Sequence, residues 1–470
     1  MVRRPVSIES EYAGARLVDE RLNERLVSIG RSLATHPAWS FPKVMASEAR
    51  LEATYRFLSN PRVDDGKMLE PHVLATKERS KAHVTVLAIH DTTEFIFSGT
   101  QVRAGLGPTI MNNQGFMCHA TLLVAPGESR LPLGVAAVRT WVREGGRRRN
   151  LQSTGMRARD PNRETVRWIE QAFETEKVLE RPGVVHLMDR EGDFYDLLWQ
   201  FAEENLRFVI RAKGQRKVEV EGREDELFRM AEIPDLLAVR CKRKVTLSRR
   251  LHKSRLANSQ YHLPREERSA HLSFSATRVK LKRPQYAPRS LPEEVSVNVV
   301  CVSEDNPPEG EVPIDWLLLT SEPINTKADI LQVADLYRSR WTIEEFFKAL
   351  KTGCSMERRQ LESFAALRRT LTLFLPIAWQ LLLLRSLSRA SPQAQLRHVL
   401  DPPLIEVLGA VSPLPLSRTP TILEGFWAIA ALGGHLRRNG EPGWQTLSAG
   451  YHQLLTLAVG WNARGRCDQS

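Results

Sequence analysis

Three apolar runs, Val84 to Ile89, Gly115 to Val124 and Leu131 to Val142, follow one another with turn formers between them. Runs of this length and composition read as strands, and three in sequence predict an antiparallel meander. Arg163 to Leu179 then reads as a helix, Gly183 to Met188 as a short apolar strand, Phe194 to Glu204 as a helix and Leu206 to Arg211 as a further strand. Meander, helix, strand, helix, strand is a mixed α/β order of the ribonuclease-H type, and it constrains the fold more than any other feature of the chain.

The flanking texture differs. Between Ala15 and Asn60 the pattern is helical, with Leu17, Leu22, Leu26, Ile29 and Leu33 three to five residues apart and Pro37, Pro42 and Pro61 as punctuation. From about 214 to 325 the chain turns polar, basic and β-rich, including Val295 to Val302 and Trp316 to Thr320, and reads as an insertion. Lys327 to Lys351 reads as one long helix, and Ala365 to Trp461 as mainly helical, with breaks at Pro402-Pro403 and Pro413 to Pro415. The apolar run Leu371 to Leu384, broken by Pro376 and carrying Gln380, is short for a membrane span and reads as a buried core helix. A chain of 470 residues exceeds one ordinary core. The expected organisation is a helical N-terminal domain at 1–70, an α/β core at 71–355 with its β-rich insertion, and a helical C-terminal domain at 365–470.

Charge narrows the partner. Lys and Arg number 67 against 55 Asp and Glu, a net +12. From Arg240 to Arg289 fifteen basic residues face two acids, Glu266 and Glu267, so the rest of the chain is close to neutral. A concentrated basic segment suits a polyanion such as nucleic acid, ahead of a charged membrane surface or a merely solvated loop. The five cysteines are scattered without a close pair, which speaks against a zinc site or a disulfide framework and fits a reducing cytoplasm. The N-terminal arginines are followed by no apolar stretch, so a secretory signal is not expected.

The candidate chemistry starts from two aspartates. Asp91 and Asp189 each stand just beyond an apolar strand run, where a scaffold projects a side chain into a cleft, although either reads equally as a turn residue or helix cap. Carboxylates suit hard cations, and Mg²⁺ needs only one or two of them besides water and substrate phosphate. On a continuous helix, at about 100° per residue, Tyr337, Arg340, Glu344, Lys348 and Lys351 fall within an arc of roughly 80°. Leu336, Ile343, Phe346, Phe347 and Leu350 fall opposite. That geometry selects Glu344 over Glu345 as the acid on the polar face, unless the face is only a solvated ladder of ion pairs. A phosphodiester enzyme needs such acids for two cations and such donors for the nonbridging oxygens.

The spacing Tyr337, two residues, Arg340, three residues, Glu344, six residues, Lys351 resembles the Y-(2)-R-(3)-E-(6)-K signature of the IS-four-type DDE transposases. Ile89-His90-Asp91-Thr92-Thr93 and Asp189-Arg190-Glu191-Gly192-Asp193 resemble the surroundings of that family's first and second catalytic aspartates. The likeness extends from Tyr55-Arg56-Phe57 through Trp316-Leu317-Leu318-Leu319-Thr320 to Leu432-Gly433-Gly434. It implies a ribonuclease-H-like core with a β-rich insertion before the glutamate helix. It further implies catalytic, metal-holding Asp91, Asp189 and Glu344, with Mg²⁺ as cofactor and Mn²⁺ as its substitute. The activity implied is cut-and-paste transposition: nicking at double-stranded terminal inverted repeats, hairpin formation and opening, and strand transfer into target DNA by a synaptic homodimer. Tyr337, Arg340 and Lys351 would contact DNA, Trp316 would stack on a flipped base, and Arg211 would touch the backbone near the site. Arg21 and Arg25 resemble end-binding arginines, whereas Thr35 and His36 stand where a family relative has a Lys-Tyr pair, which implies a different terminal sequence.

Two rivals share these residues. A structure-specific nuclease would use the same carboxylates without strand transfer, and a domesticated copy or repressor would bind DNA without cutting it. Gly105 and Gly107 lack the third glycine of a dinucleotide loop, and Lys351-Thr352-Gly353 lacks the serine motifs of a penicillin-recognising site.

Overall fold

The computed structural model describes residues 8–45, 47–99, 101–109, 113–143, 163–247 and 265–467. The basic stretch at 248–264, which includes Arg249, Arg250, Lys253 and Arg255, lies outside them. In chain order the α-helices of five residues or more are α1 (Glu20–Thr35), α2 (Phe41–Met45), α3 (Glu48–Ser59), α4 (Asp65–Ser80), α5 (Val166–Leu179), α6 (Tyr195–Glu203), α7 (Lys327–Arg338), α8 (Trp341–Lys348), α9 (Phe364–Ala390), α10 (Pro402–Val411), α11 (Ile422–Leu432) and α12 (Trp444–Cys467). The strands are β1 (Val86–Phe97), β2 (Gly107–Pro108), β3 (Gln114–Val124), β4 (Pro132–Trp141), β5 (Val184–Met188), β6 (Arg207–Arg211), β7 (Lys217–Val220), β8 (Arg223–Arg229), β9 (Cys241–Leu247), β10 (Arg268–Lys282), β11 (Glu294–Asp305) and β12 (Asp315–Thr320). The order β1-β3-β4-α5-β5-α6-β6 is the mixed α/β succession that the apolar runs predict.

The chain divides into two compact units, one of residues 1–148, 173–181 and 341–470 and the other of 149–172 and 182–340. In the first, β3 pairs antiparallel with β1 on one side and with β4 and β2 on the other. Helices α1, α3 and α4 begin at Asp19, Ser47 and Asp64, whose side chains accept hydrogen bonds from Arg21 N, Arg50 N and Lys67 N. These caps satisfy donors that the first helical turn leaves open. α9 is long and apolar enough to cross a membrane, yet 83% of its most apolar stretch is buried inside the protein. It runs unbroken through Pro376, so the expected break there is absent.

Buried polar bonds join the early helices to β4 and α9. Glu11 is sealed in the core, where His72 Nδ1 donates to one of its oxygens and Arg79 donates to the other at 2.8 Å. Val135 N donates to His72 Nε2 at 3.0 Å, which places the imidazole proton on Nδ1. Arg79 also donates to Leu133 O at 2.5 Å and lies 4.0 Å from the Trp379 ring centroid, while Trp379 Nε1 donates to Pro132 O at 2.9 Å. Farther along, Arg369 donates to Val63 O and Leu58 O at 2.8 and 2.7 Å, and Arg359 donates to Pro37 O and Trp39 O. Gly134, at φ +145°, lies so close to α4 that a Cβ there would stand 1.9 Å from Thr76 Oγ1.

In the second unit β5 and β6 are parallel, joined through α6, and β6 continues antiparallel into β12, then β11 and β10. β10 pairs with both β7 and β9, and β7 with β8. The insertion therefore extends the sheet beyond β6. Leu198, Phe201, Phe208, Ile210, Val299 and Leu319 are among the residues that fill its core.

Two expectations about chain path are corrected. β1 does not end at His90 but continues through Asp91 to Phe97, with Asp91 opposite Ala120 of β3. Lys327 to Lys351 is not one helix: Ser339 N and Arg340 N bond back only three residues, to Leu336 O and Tyr337 O, and the chain turns there before α8. After α8 comes a π-helical turn, Ala349–Gly353, rather than further α-helix.

Removing Glu11 leaves the fully buried His72 Nδ1 donor unanswered and takes the counter-charge from half-buried Arg79, so Glu11→Ala is expected to cost about 3 kcal/mol, read from the midpoint of urea unfolding. Burial pushes the Glu11 carboxyl up, but bonds from His72 and Arg79 outweigh it and hold it below its usual 4.5. Burial depresses His72 below its usual 6.5, against the opposing pull of Glu11. Both folded-state values are depressed, so the stability they confer is present above the unfolded values. It is lost as pH falls, first below about 6.5 for His72 and then below about 4.5 for Glu11. An equal acid dependence in wild type and Glu11→Ala would contradict this account.

Candidate active site

In the first unit, β1 is buried from Val86 to His90 and half-buried from Asp91 to Glu94. Successive side chains alternate across a strand, so Asp91, Thr93 and Phe95 share one face and His90 and Thr92 the other. Asp91 Oδ1 accepts from Thr92 N at 2.8 Å. On the opposite face His90 is hydrogen-bonded to Thr121 Oγ1 and His119 to Thr92 Oγ1, with the two imidazoles stacked at 5.8 Å. Burial, then the charge of Arg139, pushes His119 down to about 3, so it is neutral across the physiological range.

α8 packs on β1 through a buried side formed by Ile343, Phe346 and Phe347, leaving Glu344 half-buried. In the π turn that follows, Lys351 Nζ donates to Glu94 O at 2.6 Å and lies 5.4 Å from the Phe95 ring centroid, which puts it over the face of β1 that carries Asp91. Lys351 also stands 3.5 Å from Glu357, whose carboxylate accepts from Ile96 N. The choice between neighbouring acids has a structural counterpart, because Glu345 is turned toward Arg385 and Arg389 at 3.7 and 3.4 Å.

In the second unit Asp189 follows β5 directly and is half-buried. It caps the short turn Arg190–Gly192 by accepting from Glu191 N at 2.7 Å. Asp193 braces the same turn, accepting from Lys213 N and Arg216 at 2.7 and 2.5 Å; sequence reasoning passed over it because its position in the motif gives no sign of burial. Tyr337 is 3% exposed and Arg340 7%, so neither lies on an open polar face as the continuous helix had implied. Tyr337 packs edge-on against Trp316 at 5.4 Å. Burial pushes the Tyr337 hydroxyl up, the positive charges of Arg340 and Arg211 oppose this, and Asp189 adds to it. Arg340 and Arg211 both lie close enough to that hydroxyl to act on its ionisation. Arg211 also donates to Asp315 O at 2.9 Å, while its Nε has no hydrogen-bond partner among the described residues.

The second unit thus gathers Asp189, Arg211, Trp316, Tyr337 and Arg340. Asp91, Glu344 and Lys351 belong to the first. Lys348, expected on the polar face, is exposed. Arg21 and Arg25 are exposed on α1. Thr35 and His36 close α1, with His36 in ring contact with Trp39 and His452 at 4.2 and 3.5 Å. No group of three His, Cys, Asp or Glu side chains that could hold a metal ion occurs among the described residues. Asp91, Asp189 and Glu344 are each half-buried, and a carboxylate is the oxygen donor that hard cations select.

Residues 7–63 match the family model for transposase DNA-binding and residues 156–377 the model for the transposase DDE domain. The first takes in Arg21 and Arg25. The second takes in Asp189, Arg211, Trp316, Tyr337, Arg340, Glu344 and Lys351, and it begins after Asp91. Among solved structures, the cryo-EM structure of a piggyBac transposase synaptic complex with hairpin DNA is similar over 82% of this chain and 70% of that one, at 11% identity and a TM-score of 0.35. No residue correspondence follows from so distant a likeness. The chain carries a transposase DDE domain preceded by a transposase DNA-binding domain.

Proposed function

We propose that the chain is a cut-and-paste DNA transposase of the IS-four type, which nicks element ends, forms and opens hairpins and transfers strands into target DNA. The observation that carries this reading is the surroundings of Tyr337, whose hydroxyl feels the charges of one carboxylate, Asp189, and two guanidinium groups, Arg211 and Arg340, within a matched DDE domain. An acid among phosphate donors is the combination a phosphodiester reaction needs.

Asp91, Asp189 and Glu344 would hold Mg²⁺, with Mn²⁺ as a substitute. When bound, the metal supplies activation of the attacking hydroxyl and stabilisation of the leaving oxygen. The chain's own groups orient the strand. Arg211 and Arg340 present guanidinium donors to nonbridging oxygens, and Lys351 adds a point charge. Tyr337, its hydroxyl raised above the usual 10, keeps its proton at neutral pH and can donate it. Trp316, half-buried against Tyr337, offers a ring face to an extruded base at the hairpin turn. Residues 1–70, with Arg21 and Arg25 exposed on α1, recognise the terminal inverted repeats. Residues 71–355 carry the chemistry, and residues 365–470 pair two copies into the synaptic homodimer. The site of action is the nucleoid in a bacterial cytoplasm.

With the element's own ends as substrate, Asp189→Asn and Glu344→Gln are expected to abolish nicking while end binding in gel shifts stays within about threefold of wild type; removing the metal with EDTA has the same outcome. Nicking at the wild-type rate by either variant would overturn the assignment. Trp316→Ala is expected to preserve the first nick and to slow hairpin formation roughly 5- to 150-fold, from a stacking contribution of about 1–3 kcal/mol per base. An undiminished hairpin rate would remove Trp316 from this role, and absence of hairpins in the wild type would favour a plain nuclease.

A further inference from the structure

α8 is a short helix between two departures from α-helical geometry, the turn at Ser339–Arg340 and the π turn Ala349–Gly353. Its buried side, Ile343, Phe346 and Phe347, seats it on β1, but apolar contact is non-directional and fixes depth better than rotation about the helix axis. That rotation decides where Glu344 points. A carboxylate about 5 Å from the axis moves by roughly 2 Å for a turn of about 20°. A misplacement of about 1 Å can cost on the order of a hundredfold in rate.

The neighbouring residue supplies a directional restraint. Glu345, about 100° round the helix from Glu344, faces Arg385 and Arg389 near the end of α9 at 3.7 and 3.4 Å. Both arginines are held in turn: Arg389 donates to Glu441 at 3.0 and 2.5 Å, and Arg385 reaches Glu441 at 3.2 Å and lies 4.6 Å from the ring centroid of buried Trp444, the first residue of α12. Single exposed ion pairs contribute little, but this is a linked set of four charges anchored on an aromatic ring, with the Arg385 side chain only 11% exposed. Bonds from Arg389, chiefly, hold the Glu441 carboxyl below its usual value, so the set stays charged at neutral pH.

We infer that Glu345, Arg385, Arg389 and Glu441 form a positioning strap, by which the C-terminal helices set the rotation of α8 and so the placement of the Glu344 carboxylate. The inference rests on Glu344 being catalytic. The strap residues touch no reacting group and act through Glu344.

The test uses the full-length protein, radiolabelled element ends and Mg²⁺ titration, with Glu344→Gln as the reference. Glu345→Gln is expected to lower the nicking rate at saturating Mg²⁺ roughly 10- to 100-fold. It is also expected to raise the half-saturating Mg²⁺ concentration at least about threefold, with melting temperature and end binding unchanged. Glu345→Asp, which keeps the charge, is expected to recover most of the rate. Arg389→Gln, altering a more exposed partner, is expected to reproduce the rate and Mg²⁺ effects, and it decides the matter if Glu345→Gln does not fold. Wild-type rate and Mg²⁺ dependence in the folded Glu345 and Arg389 variants, with Glu344→Gln inactive, would overturn the strap alone. An active Glu344→Gln would instead overturn the reading on which it rests.

Discussion

An ionised carboxylate in a protein interior is tolerable only when every lone pair is answered, and Glu11 sets that condition for the first unit. His72 and Arg79 answer it, and in doing so they fix α4 against β4 and bring Trp379 of α9 into the same contact. Because β4 pairs with β3 and β3 with β1, the strand that carries Asp91 is registered, through two ladders, on the helix that meets Glu11. An apolar replacement of the set would not distinguish one placement of α4 from another so sharply, since apolar contact has no direction. The bonds specify an arrangement more than they add stability.

The two units carry different candidate groups. The first holds two half-buried carboxylates, Asp91 and Glu344, and a lysine tethered to a strand carbonyl. The second holds Asp189 and a cluster whose cations face a phenol. Both guanidinium groups lie beside the Tyr337 hydroxyl, and Arg211 is tied to the Asp315 carbonyl.

What the sequence made legible was local. Apolar runs located β3, β4, β5 and β6 to within a residue or two, and the position after Met188 marked Asp189. Asp91 was placed at a strand end that does not exist: β1 changes at His90 from a strand buried on both faces to an amphipathic one, Thr92 to Phe97, and the loss of the apolar run looked like an end. The helical wheel that picked Glu344 assumed a continuous helix. The turn at Ser339–Arg340 leaves no signal in periodicity, because a tightening from four-residue to three-residue bonds needs neither glycine nor proline. Tyr337 and Arg340 therefore lie buried where the wheel drew them exposed, and the Glu345 ion pairs, not the wheel, explain why adjacent glutamates differ. Pro376 read as a break because intrinsic propensity says so, and burial of α9 on all sides overrides it.

The arginines that close the N-terminal helices come from the far end of the chain. Arg369 reaches Val63 O across 306 residues, Arg359 reaches Pro37 O across 322, and the Tyr12 hydroxyl waits for Leu373 O across 361. At about 5–20 residues per second, a gap of 306 residues amounts to roughly 15–60 s of synthesis. During that interval the residues matched to the DNA-binding model have left the ribosome with these carbonyls still facing water. Completion of the early helices is thus timed by translation of the late ones, and a chain stopped before Arg359 would carry the DNA-binding segment without its final clasps.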